Sequence, residues 1–376
     1  MRTHVVAASL AAGVLLAACG GGSGSTPLPS ATTTPSKQTS GNATFVVKIP
    51  PKRSSSARTP KYLTADVQGI QFSVTQNKGA VPAGFVFYAI GPSQPYCTTP
   101  TGGGLICTLA VQAAPGDDTF VVTTYDQPNM NFDADVISTG SVETTISAQS
   151  SNKVNVVTSG VPSAFVMSLA NQYPTAAGAQ AVHLLALDAD MNVIVGPYDT
   201  PITLSNSDTT GITTLSTTSV ASSTDAANVT LTWNGTATVN WATLSAKTNS
   251  PLAIYNYTLN GRSLVLPGGS GVLASPTYLV FANSKDTAQT ITLSGVGAAA
   301  APFQANTNAD WFNDQGMIVN NLEVGNYIYG CAGIVTVSGS SPTFTVTPVH
   351  TGVCNLNIAD GAARYHGTVP IVVQSL

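Results

Sequence analysis

Charged side chains are scarce in this sequence: Asp, Glu, Lys and Arg together make up 8% of 376 residues, against about 25% in ordinary soluble domains. A chain so poor in charge takes its solubility from amides and hydroxyls. With 43% apolar residues and regular alternation, extended disorder is excluded over the body of the chain. No Cys-x-x-Cys, His-Glu-x-x-His, Gly-x-Ser-x-Gly or phosphate-loop pattern occurs, so the common motif-borne zinc, protease, esterase and nucleotide chemistries lack their signatures. The four histidines, His4, His183, His350 and His366, are scattered; a Ser/His/Asp triad would have to be assembled by the fold alone. No segment holds a 3.6-residue apolar period, which excludes long amphipathic helices.

The charges that exist are segregated. Arg2, Lys37, Lys48, Lys52, Arg53, Arg58 and Lys61 precede the first acidic residue, Asp66; from Tyr62 onward 6 basic residues face 17 acidic ones, a net of −11. An acidic body argues against nucleic acid as a partner, because that needs a basic footprint. A solvated loop accounts for the basic neck, although each Lys or Arg would contribute ~1 kcal/mol against anionic lipid headgroups.

Arg2 followed by apolar Val5–Ala18 reads as a secretory leader, too short for a comfortable membrane span of ~20 residues. Cys19 and Gly20–Ser25 then open a Gly/Ser/Thr/Pro tether over 19–42, flexible in composition. Leu16-Ala17-Ala18-Cys19 resembles the lipobox of bacterial lipoproteins. That resemblance implies cleavage of 1–18, diacylglyceryl modification of Cys19 and a protein held in the cell envelope through its lipidated N-terminus. With Gly rather than Asp at position 20, it implies outer-membrane or surface sorting in a two-membrane bacterium. An ordinary signal peptide with a chance cysteine is the alternative.

Four cysteines remain: Cys97, Cys107, Cys331 and Cys354. Three pairings are possible. Bridging neighbours, Cys97 with Cys107 and Cys331 with Cys354, keeps each bridge inside one domain. Strand phase agrees: Cys107 shares parity with Leu105, Leu109 and Val111, and Cys354 with Leu356 and Ile358, so both face inward. Disulfides suit an exported chain better than a metal site, for which no ligand spacing exists.

Period-two alternation and Gly/Pro/Asn turns predict an all-β chain of sandwich domains at 43–160, 161–262 and 270–376. In the first, strands are expected at Phe45–Ile49, Ile70–Thr75, Phe85–Ile90, Leu105–Ala113, Asp118–Tyr125, Val142–Ser147 and Lys153–Thr158. The second carries Ala181–Leu187, Val193–Val195, Ile202–Leu204 and Val229–Trp233. Asn234-Gly235 is a strong hairpin signal. A two-residue turn, however, would set Trp233 and Leu231 opposite threonines, so a bulge or longer loop is predicted there. The third carries Tyr278–Ala282, Gln289–Ser294, Ile334–Ser338, Phe344–Pro348, Cys354–Ala359 and Thr368–Val373. Residues 186–196 (ALDADMNVIVG) resemble the strand, Asp-turn, strand of bacterial immunoglobulin-like (Big) domains, and residues 344–358 resemble late strands of the same group. The resemblance covers the second and third units, the first being similar only in style. It implies tandem immunoglobulin-like sandwiches used as spacers or adhesive modules, with no catalytic residues to carry over.

Asp188, Asp190, Asn192 and Asp199 fall at positions 1, 3, 5 and 12 of a calcium loop, but Val193 replaces the required Gly and Asp the usual bidentate Glu. An acidic hairpin turn accounts for them better, and no metal is assigned; whether that turn binds calcium stays open. Asp133 and Asp135, or Asp117 and Asp118, could serve glycoside hydrolysis only at a defined separation, and Asp pairs at turns are ordinary. Trp233 and Trp241 are read as core rather than as sugar platforms. The Asn-x-Ser/Thr sites at Asn42, Asn228, Asn234 and Asn256 follow from composition. The functional expectation is a non-catalytic surface binding, adhesion or spacer module without cofactor, with an unidentified protein or glycan ligand. The alternative is an envelope polysaccharide hydrolase or a carbohydrate-binding accessory protein.

Overall fold

The computed structural model describes residues 41–51, 64–76, 84–130, 134–148, 151–236, 242–254, 257–259, 263–264, 269–308 and 330–375. The leader, Cys19, the tether to residue 40, Lys52, Arg53, Arg58, Lys61, Asp133, Trp241 and Asn256 lie outside these residues. Residues Thr39–Leu376 form one compact unit, and it is all-β.

The first eight strands are β1 (Gly41–Ile49), β2 (Gly69–Gln76), β3 (Gly84–Ala89), β4 (Cys97–Thr98), β5 (Leu105–Ala113), β6 (Gly116–Tyr125), β7 (Val136–Ile146) and β8 (Ser151–Val154). One sheet runs β4-β5-β1-β8, and β7-β6-β2-β3 form the end of another. Alternation decides what each strand buries. Ala43, Phe45, Val47 and Ile49 point inward while Asn42, Val46 and Lys48 are exposed, as period two requires. Phe45 meets Phe72 and Phe120 of the facing sheet at ring-centroid distances of 4.5 and 5.2 Å, so the two sheets close on an aromatic centre.

The chain continues through β9 (Ser159–Gly160), β10 (Ala164–Leu169), β11 (Gly178–Leu187), β12 (Pro197–Asn206), β13 (Thr213–Leu215), β14 (Ser219–Ser222), α1 (Ser223–Ala226), β15 (Thr230–Trp233), β16 (Ala242–Lys247), β17 (Tyr257–Leu259) and β18 (Ser263–Leu264). Gly160 is paired with Ser138 of β7 on one side and Tyr198 of β12 on the other. Through it the sheet of β7 runs on into β12, β16 and β18. The opposing sheet is β13-β15-β11-β10-β17. A single apolar cluster, from Ala43 to Ala246, takes in residues from all three of these sheets.

The Asn234-Gly235 turn is neither a hairpin nor a bulged one. β15 pairs with β11 and β13, whereas β16 pairs with β12 in the other sheet, so the chain crosses between sheets there. Gly235 takes a positive φ of 89°; the Thr236 amide donates to Asn234 Oδ1 and the Trp233 indole N–H to the Thr236 carbonyl. Trp233 itself is buried. The expected strand at Val193–Val195 reduces to one bridge, Leu187 to Val193.

The remaining strands are β19 (Gly271–Ser275), β20 (Leu279–Phe281), β21 (Gln289–Val296), β22 (Phe303–Asn306), β23 (Val335–Ser340), β24 (Thr343–Pro348), β25 (Gly352–Asp360) and β26 (His366–Val373). They make sheets β19-β21-β24-β23 and β20-β26-β25-β22 around a second core that includes Ile291, Phe344, Leu356 and Ile371.

Strand β10 (AFVMSL) is buried at all six positions. Phe165, Met167 and Leu169 enter the first core, while Ala164 and Val166 pack with Leu187 against Val353 and Val372 of β25 and β26. Both faces are therefore apolar, and a strand buried on both faces shows no alternation. β26 is built alike, with Ile371 and Val373 facing its own core and Val372 facing β10.

Candidate functional site

Disulfides join Cys97 to Cys107 and Cys331 to Cys354. The first links direct partners on β4 and β5. Cys107 and Cys354 are fully buried.

Of the other residues singled out for chemistry, Asp188, Asp190, Asn192 and Asp135 come together at one place, though not as a calcium loop. The turn after β11 is closed by its own side chains. Asp188 Oδ1 accepts from the Asn192 amide at 2.8 Å, Met191 adopts a left-handed φ of 61°, and the Asp188 amide donates to the Asn192 carbonyl at 2.9 Å. This is the local side-chain-to-backbone bonding that Asp favours in turns. Asp199 stands apart from the set on β12, its Oδ2 accepting from the hydroxyls of Ser250 and Thr200.

In place of Asp199 the turn meets two distant parts of the chain. Asn192 Nδ2 donates to Asp66 Oδ2 at 3.1 Å, and the Ser375 hydroxyl donates to the same oxygen at 2.6 Å. The Ser375 amide donates to Asn192 Oδ1 and the Val193 amide to Gln374 Oε1. Asp126 and Asp135 are joined by the Asp135 amide donating to Asp126 Oδ1 at 2.7 Å, and both act on Asp190.

Asp190 is the electrostatic centre of this junction. Burial, with the neighbouring charges of Asp188, Asp126, Asp66 and Asp135 added to it, pushes its carboxyl up to about 8. Its Oδ2 is buried with no hydrogen-bond partner. Like charges and desolvation both favour the neutral acid, so Asp190 carries its proton at neutral pH. Asp190 as a whole is only partly buried; the oxygen without a partner is the one turned away from solvent. Among the described residues no group of three or more His, Cys, Asp and Glu has the geometry to hold a metal ion.

The remaining candidates are dispersed. Asp117 and Asp118 point to opposite faces of β6: Asp117 accepts from the Thr145 hydroxyl, while Asp118 is fully buried with neither oxygen hydrogen-bonded. Burial, with Asp117 beside it, raises the Asp118 carboxyl above its usual range. His183 is half-buried against Tyr278, ring centroids 5.1 Å apart, and burial lowers its affinity for a proton. His350 Nδ1 meets the Gly333 carbonyl at 2.7 Å, and His366 is buried in β26. Sequence reasoning missed Asp66 and Asp126 as neighbours of Asp190, since no local spacing connects residues so far apart.

No protein-family description matches the chain, and no curated protein matches it in sequence. Solved structures with partial likeness include the D0-D1 domain of intimin, 14% identical with a TM-score of 0.26 over 56% of this chain and 97% of that one. The Yersinia pseudotuberculosis adhesin InvE is 13% identical with a TM-score of 0.19, over 56% and 58%. Murine CEACAM1b is 13% identical with a TM-score of 0.20, over 55% and 87%.

Proposed function

We propose that this chain is a cell-envelope lipoprotein, held to a membrane through lipidated Cys19, that presents a non-catalytic binding or spacer body of a β-sandwich at 43–160 followed by two immunoglobulin-like sandwiches at 161–262 and 270–376. The observation that carries the reading is the construction of the two joints. At the first, Gly160 is paired on both sides, so sheet hydrogen bonds pass from β7 to β12. At the second, β10 packs its outer face on Val353 and Val372. Interfaces between domains of one chain are ordinarily polar and mobile; joints made of strand pairing and buried aliphatic contact transmit position, which a presenting or spacing protein requires. Two buried disulfides suit an oxidising compartment.

The ligand is a protein or a glycan, and the acidic body disfavours nucleic acid. A binding screen of residues 39–376 against envelope glycans and surface proteins, run beside a panel of polysaccharide substrates, tests the reading. Saturable binding that leaves the ligand intact is expected; turnover of any polysaccharide would overturn it.

A further inference from the structure

Strand β3, Gly-Phe-Val-Phe-Tyr-Ala, ends its sheet: it pairs with β2 and, among the described residues, with no strand on its other side. Natural edges are guarded by lysine, proline or an inward charge. The edge strand β8 carries the exposed Lys153; β3 carries none of these.

Its exposure has a particular form. Val86 is opposite the buried Phe72 and so belongs to the inner face, yet it is 37% exposed; Phe85, on the outer face, is 62% exposed. A ligand stacked on the outer face would cover Phe85 and leave Val86 in water. Only an added strand sets side chains against both faces at once, because successive residues alternate. The far end of β3 is already occupied, since the Tyr96 hydroxyl donates to the Ala89 carbonyl at 2.6 Å and its ring packs on Tyr88. Among the described residues the unpaired length is therefore Phe85 to Phe87.

Charge indicates whose strand fits. Two copies of a body with a net charge of −11 beyond Tyr62 repel over most of their surface. Between Asp66 and Asp117, however, the only charged residue is Lys78, and β2, β3, β4 and β5 all lie in that stretch. Here two copies can approach without opposing acidic groups. Cross-strand pairs of aromatic with aromatic or β-branched residues are among the favourable ones, and an uncharged apolar strand supplies them to itself about a two-fold axis.

We propose that the free edge of β3 is a self-association edge, taken by β3 of a second copy in antiparallel pairing. So short a strand pair lies at the small end of interface sizes, and the association is weak in solution.

Sedimentation equilibrium of residues 39–376, over roughly three decades of concentration up to about 1 mM, reads it directly. The wild-type mass is expected to rise towards a dimer, and Phe85→Lys, which in a pairing centred on Val86 sets an ammonium against Phe87 of the second copy and diagonal to that copy's own Lys, to weaken association about tenfold or more with an unchanged melting temperature. In parallel, Val86→Cys is expected to form an intermolecular disulfide about tenfold faster than Val157→Cys, a control at a residue 76% exposed, because pairing raises the local concentration. A wild-type chain that stays monomeric throughout, or equal cross-linking at 86 and 157, overturns the proposal. So does a Phe85→Lys variant that self-associates as before while losing binding to a glycan.

Discussion

The Tyr173 hydroxyl donates to the backbone carbonyl of His366 at 2.9 Å, across 193 residues of chain. Tyr173 is 3% exposed, and its ring lies so close to Gly271 that a Cβ there would come within 1.9 Å of it. Glycine at 271 is therefore set by a close approach, and the pair fastens the region before β11 to the start of β19 and β26. Gly271→Ala is expected to displace the ring and lower stability by roughly 1–3 kcal/mol, in the range of overpacking. Tyr173→Phe, which deletes one hydrogen bond, is expected to cost about 1 kcal/mol. Urea titration of both variants orders them.

Asp190 makes stability depend on pH with a definite sign. Its carboxyl, at about 8 in the folded chain, lies far above the ~3.9 of an unfolded aspartate, so between these values the folded state binds the extra proton. The stability that this proton contributes is thus fully present at and below about pH 4 and is lost as pH rises towards 8. Asp190→Asn is expected to flatten this dependence, gaining roughly 1–3 kcal/mol at pH 8 after allowance for solvent screening and nothing at pH 4. Thermal melts of both proteins across that range check it.

Asp118 offers a second gain of the same sign. A buried carboxyl with neither oxygen bonded costs free energy that an apolar side chain does not. Asp118→Val, which also suits a strand, is expected to stabilise the protein by about 1–2 kcal/mol at neutral pH. The gain shrinks at low pH, where the acid is neutral. Chemical denaturation at pH 4 and 7 separates the two conditions.

Each disulfide closes a short loop, 10 residues for Cys97–Cys107 and 23 for Cys331–Cys354. Loop-closure entropy assigns about 3 kcal/mol to each, slightly more to the longer. Replacing either pair by alanine is expected to lower the unfolding midpoint accordingly, with the Cys331/Cys354 variant the less stable of the two.

Strands with one wet face are legible in the sequence. Leu105–Ala113 alternates cleanly and is a strand with those same bounds. The one at Ala164–Leu169 escapes a periodicity reading because both of its faces are dry. Asn234-Gly235 reads correctly as a turn that cannot be a plain two-residue hairpin; that it leads from one sheet into another is decided by the partners of β15 and β16, far along the chain. For Asp188 and Asn192 the sequence shows the turn but not its surroundings, since Asp66 and Ser375 arrive through tertiary packing alone.

Anchoring in the envelope turns on the fate of Cys19. Metabolic labelling with a clickable fatty acid, on the full-length chain and its Cys19→Ser variant expressed in a bacterium, tests this. Label on the wild-type protein that is absent from the variant is the predicted result; equal label on both, or none on the wild type, would contradict a lipid-anchored envelope protein.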